Sequence, residues 1–321
     1  MSPRSLLDLI TTVSPFLVVA WHISPQTFVA TLNQAAAEVV AARAQARSQT
    51  ALGTLYCQLA AWEQATEAYL VAADWAKIAR DPIEMGIAMQ GLGTVMLYRQ
   101  RYELARQCFN HAVQCLQSTH DHSQYAAALH SLGVAYYGLG SYPQALDLFQ
   151  KALTLRGELW DVAGEILTLP WMGRVHCAQR KFAYALACYE TALDLCAQHL
   201  RAEDQWFEAG LRCLIAELAE QCGHLDLAVG HYLDALKLVE NQGYEWTFLI
   251  LEALGQLHEQ LGCPTMALYY RQQVLEVAQA VGVMPGHGNG GVATAKDSST
   301  ASSAQRRWGL FAPGHPFSLY F

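Results

Sequence analysis

Gly53, Gly93, Gly133 and Gly173 stand 40 residues apart, each preceded by Leu52, Leu92, Leu132 or Met172. Twelve residues after each glycine comes an alanine (Ala65, Ala105, Ala145, Ala185). Four further on comes an aromatic (Tyr69, Phe109, Phe149, Tyr189), and three beyond that another alanine (Ala72, Ala112, Ala152, Ala192). A fixed period of this length predicts a stacked array in which each unit buries its apolar face only against its neighbours.

Within a unit the spacing is helical. Leu132 and Tyr136 lie four apart, as do Ala145 and Phe149, so each pair falls on one helix face. Glycine and alanine suit a close helix crossing, because a larger side chain would hold the backbones apart; the aromatics fill the wider gap beside it. The paired helices are expected to meet at short turns, clearest in Leu139-Gly140-Ser141-Tyr142-Pro143. There Gly140 can adopt a left-handed cap and Pro143 fits a first helical turn. The corresponding turns are Ala60-Ala61-Trp62, Gln100-Arg101-Tyr102, Arg180-Lys181-Phe182, Gly223-His224-Leu225 and Gly262-Cys263-Pro264.

The stretches Ser131 to Tyr137 and Tyr142 to Leu146, with the link from Leu155 to Glu165, resemble the tetratricopeptide repeat family in its 40-residue variety. A fifth unit is offset, with Ile215-Ala216, Ala228, Tyr232 and Ala235. A sixth has Leu254-Gly255 and Ala267, but Arg271 at the aromatic slot and Val274 at the last alanine. The resemblance implies an all-α fold, a right-handed α-solenoid of stacked antiparallel helix pairs. The expected organisation is N-terminal capping helices over residues 1–45, an array of five to six units over 46–281, a linker over 282–305 and an aromatic motif over 306–321. Ser24-Pro25 is expected to start a helix that runs to about Arg47.

The formal net charge of −8 argues against nucleic acid as a direct partner, since phosphate binding needs clustered Lys and Arg. Nine cysteines are scattered without a Cys-x-x-Cys pair, which favours free thiols in a reducing cytoplasm over a disulfide framework. Leu6 to Ile23 is apolar but broken by Asp8, Thr11-Thr12 and Ser14-Pro15, so it reads as a cap, with membrane contact a minor alternative. After Val281 the composition becomes that of a linker, and five aromatics (Trp308, Phe311, Phe317, Tyr320, Phe321) fall in the last fourteen residues. This tail is expected to fold back on the last helices; docking on a partner, or in the chain's own groove, is the alternative.

Reactive chemistry is not expected. His120-Asp121-His122 reads as a helix N-cap aspartate between two solvated histidines, at the place where other units carry Asp81, Asp161 and Asp204. His176 and His258 occupy the slots of Tyr56 and Tyr136 and read as core histidines. Glu217, Glu220, Glu252 and Glu259 read as a solvated helix face rather than paired catalytic carboxylates. No phosphate loop or nucleophile elbow is present in the sequence. Hence no enzyme, cofactor or metal is expected.

In the resembled family the first helix of each unit lines a concave groove. Offsets of −3, +1 and +4 or +5 from the glycine share one helical stripe and give the expected partner-binding residues. They are Thr50, Thr54, Gln58, Gln90, Thr94, Tyr98, His130, Tyr137, Arg174, Glu217, Glu220 and Gln256, alongside Cys57, Leu97, Val134, Pro170, Cys177, Cys213, Gln221, Glu252, Glu259 and Gln260. The first half is neutral and the second acidic, with Arg174 between them. The slot after the glycine holds no asparagine, unlike many relatives, and no Lys and Asn clamp for a C-terminal carboxylate is present. Pro170 falls inside a predicted helix and is expected to be tolerated as curvature. The expected function is a non-enzymatic scaffold or adaptor that holds a protein or peptide partner. Two alternatives stay open: a ligand- or peptide-responsive signalling sensor acting on a separate effector, and an assembly factor for a membrane complex.

Overall fold

A computed structural model describes residues 25–199, 205–239 and 244–280. The terminal segments, and with them the apolar N-terminal stretch, the linker and the aromatic tail, lie outside the described residues, as does Asp204. Twelve helices and no strand occur among the described residues: α1 Pro25–Gln58, α2 Trp62–Ala79, α3 Pro82–Tyr98, α4 Tyr102–Gln117, α5 His122–Gly138, α6 Tyr142–Glu158, α7 Val162–Ala178, α8 Phe182–His199, α9 Gln205–Gln221, α10 Leu225–Val239, α11 Tyr244–Gln260 and α12 Pro264–Ala280. They form adjacent antiparallel pairs. No described helix is long and apolar enough to cross a membrane.

The chain divides into two compact units. Unit 1 takes Met1–Met96 and Leu104–Ala128; unit 2 takes Leu97–Glu103 and Leu129–Phe321. In unit 1, α1 packs along α2. In unit 2 the helices from α6 to α12 pack each on the next in chain order, the sequential stacking of a repeat array.

The glycine and aromatic of each 40-residue unit meet as the sequence requires. A Cβ on Gly53 would stand 2.8 Å from the Tyr69 ring, on Gly93 2.6 Å from Phe109, and on Gly133 2.7 Å from Phe149. Tyr69 is wedged from a second side by Gly91, where a Cβ would come within 2.1 Å of its ring. Alanines before and after each ring (Ala65 and Ala72, Ala105 and Ala112, Ala145 and Ala152, Ala185 and Ala192) are fully buried and let the paired helix come close.

The helix ends follow local chemistry. Asp121 Oδ1 accepts from the Gln124 amide at 3.0 Å, and Asp161 Oδ1 from the Gly164 amide at 3.0 Å. Asp81 accepts in the same way from Ile83 and Glu84, so aspartates 40 residues apart cap α3, α5 and α7. His120 and His122 beside Asp121 are exposed, and no group of metal-ligating residues exists among the described ones. The tight turn inside each pair puts its first residue in the left-handed region. Gly140 (φ 71°) does so freely, but Ala60, Gln100 and Arg180 adopt the same conformation without glycine's freedom. Pro143 lies in the first turn of α6, as expected.

One boundary differs from the sequence reading. α1 runs unbroken from Pro25 to Gln58, past the end expected near Arg47 and across the line drawn at residue 45. No proline or glycine interrupts residues 26–52, so nothing in the chain stops the helix there. Arg43 and Arg47, one turn apart on α1, reach Asp81 and Glu84 at the start of α3, each at 2.5 Å.

Candidate functional site

A connected set of polar and aromatic side chains lies in unit 2, on α5, α6 and α7. Arg156 of α6 is buried, its guanidinium donating from Nη1 to the Gly164 carbonyl and the Thr168 hydroxyl of α7. Its Nε lies 3.7 Å from Asp161, the cap of the same helix. Gly164 makes this possible, since a Cβ there would fall 2.6 Å from the Arg156 Nε. Thr168 donates to the Gly164 carbonyl at 2.9 Å, and His130 Nδ1 of α5 lies 3.2 Å from the same hydroxyl. With that hydroxyl proton committed to Gly164, His130 serves as the donor. Burial, and then the Arg156 charge, holds the His130 imidazole well below its ordinary value, so the ring is neutral.

Beside this network the aromatics close up. Trp171 lies edge-on to Tyr137, with ring centroids 5.6 Å apart, and stacks on Phe149 at 6.5 Å. Arg174 lays its guanidinium over Trp171, with Cζ 4.7 Å from the ring centroid, and reaches the Tyr137 ring at 5.9 Å. Arg174 is 1% exposed. The sequence reading placed it on an open groove face; the structure instead uses it as a planar filler among rings, a role guanidinium takes because it is weakly hydrated and stacks. Pro170 is buried and α7 continues through it.

The other expected groove residues vary in exposure. In unit 1, Thr54 and Gln58 are exposed, and Thr50, Gln90 and Thr94 are partly so. Thr54 Oγ1 bonds the Thr50 carbonyl at 3.1 Å, Thr94 Oγ1 the Gln90 carbonyl at 2.9 Å, and Gln90 Nε2 approaches Gln124 at 3.5 Å. In unit 2, Tyr98, His130, Tyr137, Glu217, Glu220 and Gln256 are partly exposed, while Cys177 and Cys213 are buried. Glu252 and Glu259 are exposed; Glu252 accepts from Gln256 at 3.5 Å and Glu259 pairs with Arg271 at 2.5 Å. His258 stacks on Tyr270 at 5.3 Å and His176 lies 5.5 Å from Tyr184, as ring-packing histidines do.

One relationship went unread in the sequence although its signal was there. Where the ring is tyrosine, a cysteine stands four residues after the glycine: Cys57 Sγ lies 3.9 Å from the Tyr69 hydroxyl, and Cys177 Sγ 3.6 Å from that of Tyr189. Where the ring is Phe109 or Phe149, that slot holds Leu97 or Tyr137. A buried phenol needs a polar partner; the thiol supplies one to Tyr189, while Tyr69 has Thr54 Oγ1 at 3.2 Å beside its thiol. Burial pushes the Cys177 thiol up to about 11.

Stacked helix pairs with a repeating glycine–aromatic contact define a helical-repeat protein. The tetratricopeptide repeat family profile matches residues 84–158, and the helix pairs are repeats of that type. Comparison with curated proteins finds no match. Among solved structures, BtubC from P. vanneervenii is similar at 17% identity and a TM-score of 0.57, over 76% of this chain and 99% of that one. Aspartyl phosphate phosphatase F from Bacillus subtilis is similar at 12% identity and a TM-score of 0.57, over 90% of this chain and 84% of that one. A Rap protein complexed with competence and sporulation factor is similar at 16% identity and a TM-score of 0.56, over 74% of this chain and 65% of that one. At these identities the likeness is one of fold.

Proposed function

We propose that this chain is a non-enzymatic adaptor that holds a partner peptide against the first helices of its units. The observation that carries the reading is that, within each unit taken by itself, accessible polar groups recur at one helical register: Thr50, Thr54, Gln58, Gln90 and Thr94 in unit 1, and Glu217, Glu220, Glu252 and Gln256 in unit 2. The tetratricopeptide-repeat fold suggests a protein–protein interaction scaffold in any case. The Rap protein solved with competence and sporulation factor supports the reading that such a fold carries a bound factor. Carboxylates in unit 2 favour a basic segment; hydroxyls and amides in unit 1 favour backbone hydrogen bonding. Nine free cysteines fit a reducing cytoplasmic setting.

The test is binding of the full chain to an array of extended peptides that vary in basic and aromatic content. Basic peptides are expected to bind, with affinity lowered at least tenfold by Glu252→Lys and unchanged by Glu190→Lys on the exposed surface of α8. Equal loss from both substitutions, or no preference for basic peptides, overturns the reading.

A further inference from the structure

The second helix of each pair in unit 2 carries two apolar residues, one and eight positions after its first alanine. They are Leu186 and Leu193 on α8, and Val229 and Leu236 on α10. Both pairs are partly buried against the core of unit 2. On α12 the same positions are Leu268 and Leu275, which are 68% and 45% exposed, with Tyr269 at 52% beside them. The sequence thus writes a packing stripe on α12 as if another element were to cover it. α12 is the last described helix.

We propose that residues 306–321 of this same chain dock on the Leu268–Leu275 face of α12. The sequence continues for 41 residues after Ala280 and gathers Trp308, Phe311, Phe317, Tyr320 and Phe321 near its end. Residues 282–305 have linker composition, and a coil of that length spans about 25–30 Å. A 17-residue helix is about 25 Å long, so the tether reaches any point on the stripe. Attachment to the end of α12 holds the segment at an effective concentration of order millimolar, above that of a second copy at micromolar protein. Charge agrees: Glu276 is the one carboxylate of α12 and is exposed, Arg271 is already paired with Glu259, and the segment opens with Arg306-Arg307. The rings cover the leucines while the arginines meet Glu276.

A photo-crosslinking amino acid at position 268 of the full chain, followed by peptide mapping, reads the contact directly. The expected product is an intrachain link to residues 306–321 that falls at least tenfold in W308S/F311S, with faster amide exchange over 264–280 in that variant. A link between two chains assigns the face to a second copy and overturns the proposal. So does an intrachain link elsewhere, or an unchanged yield and exchange rate in the double variant. Leu268 is exposed, so the probe does not disturb the core.

Discussion

A Cβ placed on Gly173 would stand 2.3 Å from Cε1 of Tyr189, so this glycine and this ring form a lock that admits no further atom. At Gly255 the aromatic slot holds Arg271, and the nearest atoms to a built Cβ are 3.7 Å away. Gly173→Ala is therefore expected to destabilise the chain by about 1–3 kcal/mol through overpacking. Gly255→Ala is expected to stabilise it by about 0.5–1 kcal/mol, because alanine loses less entropy in a helix. Urea denaturation of the two variants checks both signs.

Arg174 fills space between Trp171 and Tyr137. Arg174→Glu removes the cation from the rings and buries a carboxylate in its place, and is expected to cost about 3 kcal/mol or more. Gln58→Lys, on an exposed position of the same register, is expected to stay within about 0.5 kcal/mol of the parent. Thermal melting by circular dichroism, with no ligand present, is the measurement. Lost partner binding in an Arg174 variant would thus report unfolding rather than a ligand contact.

His130, His176 and His231 are all held below the ordinary imidazole value, each first by burial. An unfolded imidazole takes up its proton near pH 6.5, whereas the folded ring waits for lower pH. Between those points the unfolded state binds more protons, so stability is fully present above about pH 6.5 and declines as pH falls below it. The slope approaches about 1.4 kcal/mol per pH unit for His130 and is smaller for His176 and His231, whose rings are partly screened by solvent. His130→Gln is expected to flatten this decline, as measured by denaturant unfolding between pH 7.5 and 5.

The cysteines divide by exposure. Cys222 and Cys263 are exposed; Cys57, Cys177, Cys196 and Cys213 are buried, with burial pushing the Cys196 thiol up to about 12. Brief iodoacetamide treatment at pH 8, mapped by mass spectrometry, is expected to label Cys222 and Cys263 first and to spare the four buried thiols until urea is added.

What the sequence disclosed was whatever depends on spacing. The glycine–aromatic contacts, the aspartate caps and the left-handed residue at Gly140 follow from local rules, and each could be placed by counting. Arg174 could not, because a charged residue at a groove offset reads as solvated; only the rings on α5 and α7, brought together by folding, make a dry site for it. Arg156, Thr168 and His130 escaped for the same reason, although Gly164 was a hint that something large lay against α7. The continuous α1 was missed because its division had been taken from the repeat register rather than from any breaker in the chain.

The missing ring at Gly255 gives unit 2 a weak end. In a linear stack each layer is held by its neighbours alone, and α11 and α12 lack the glycine–ring wedge that pins α7 to α8. Melting should therefore begin there and travel inward, like a zip opened from its loose tab, with the Gly173–Tyr189 layer parting later.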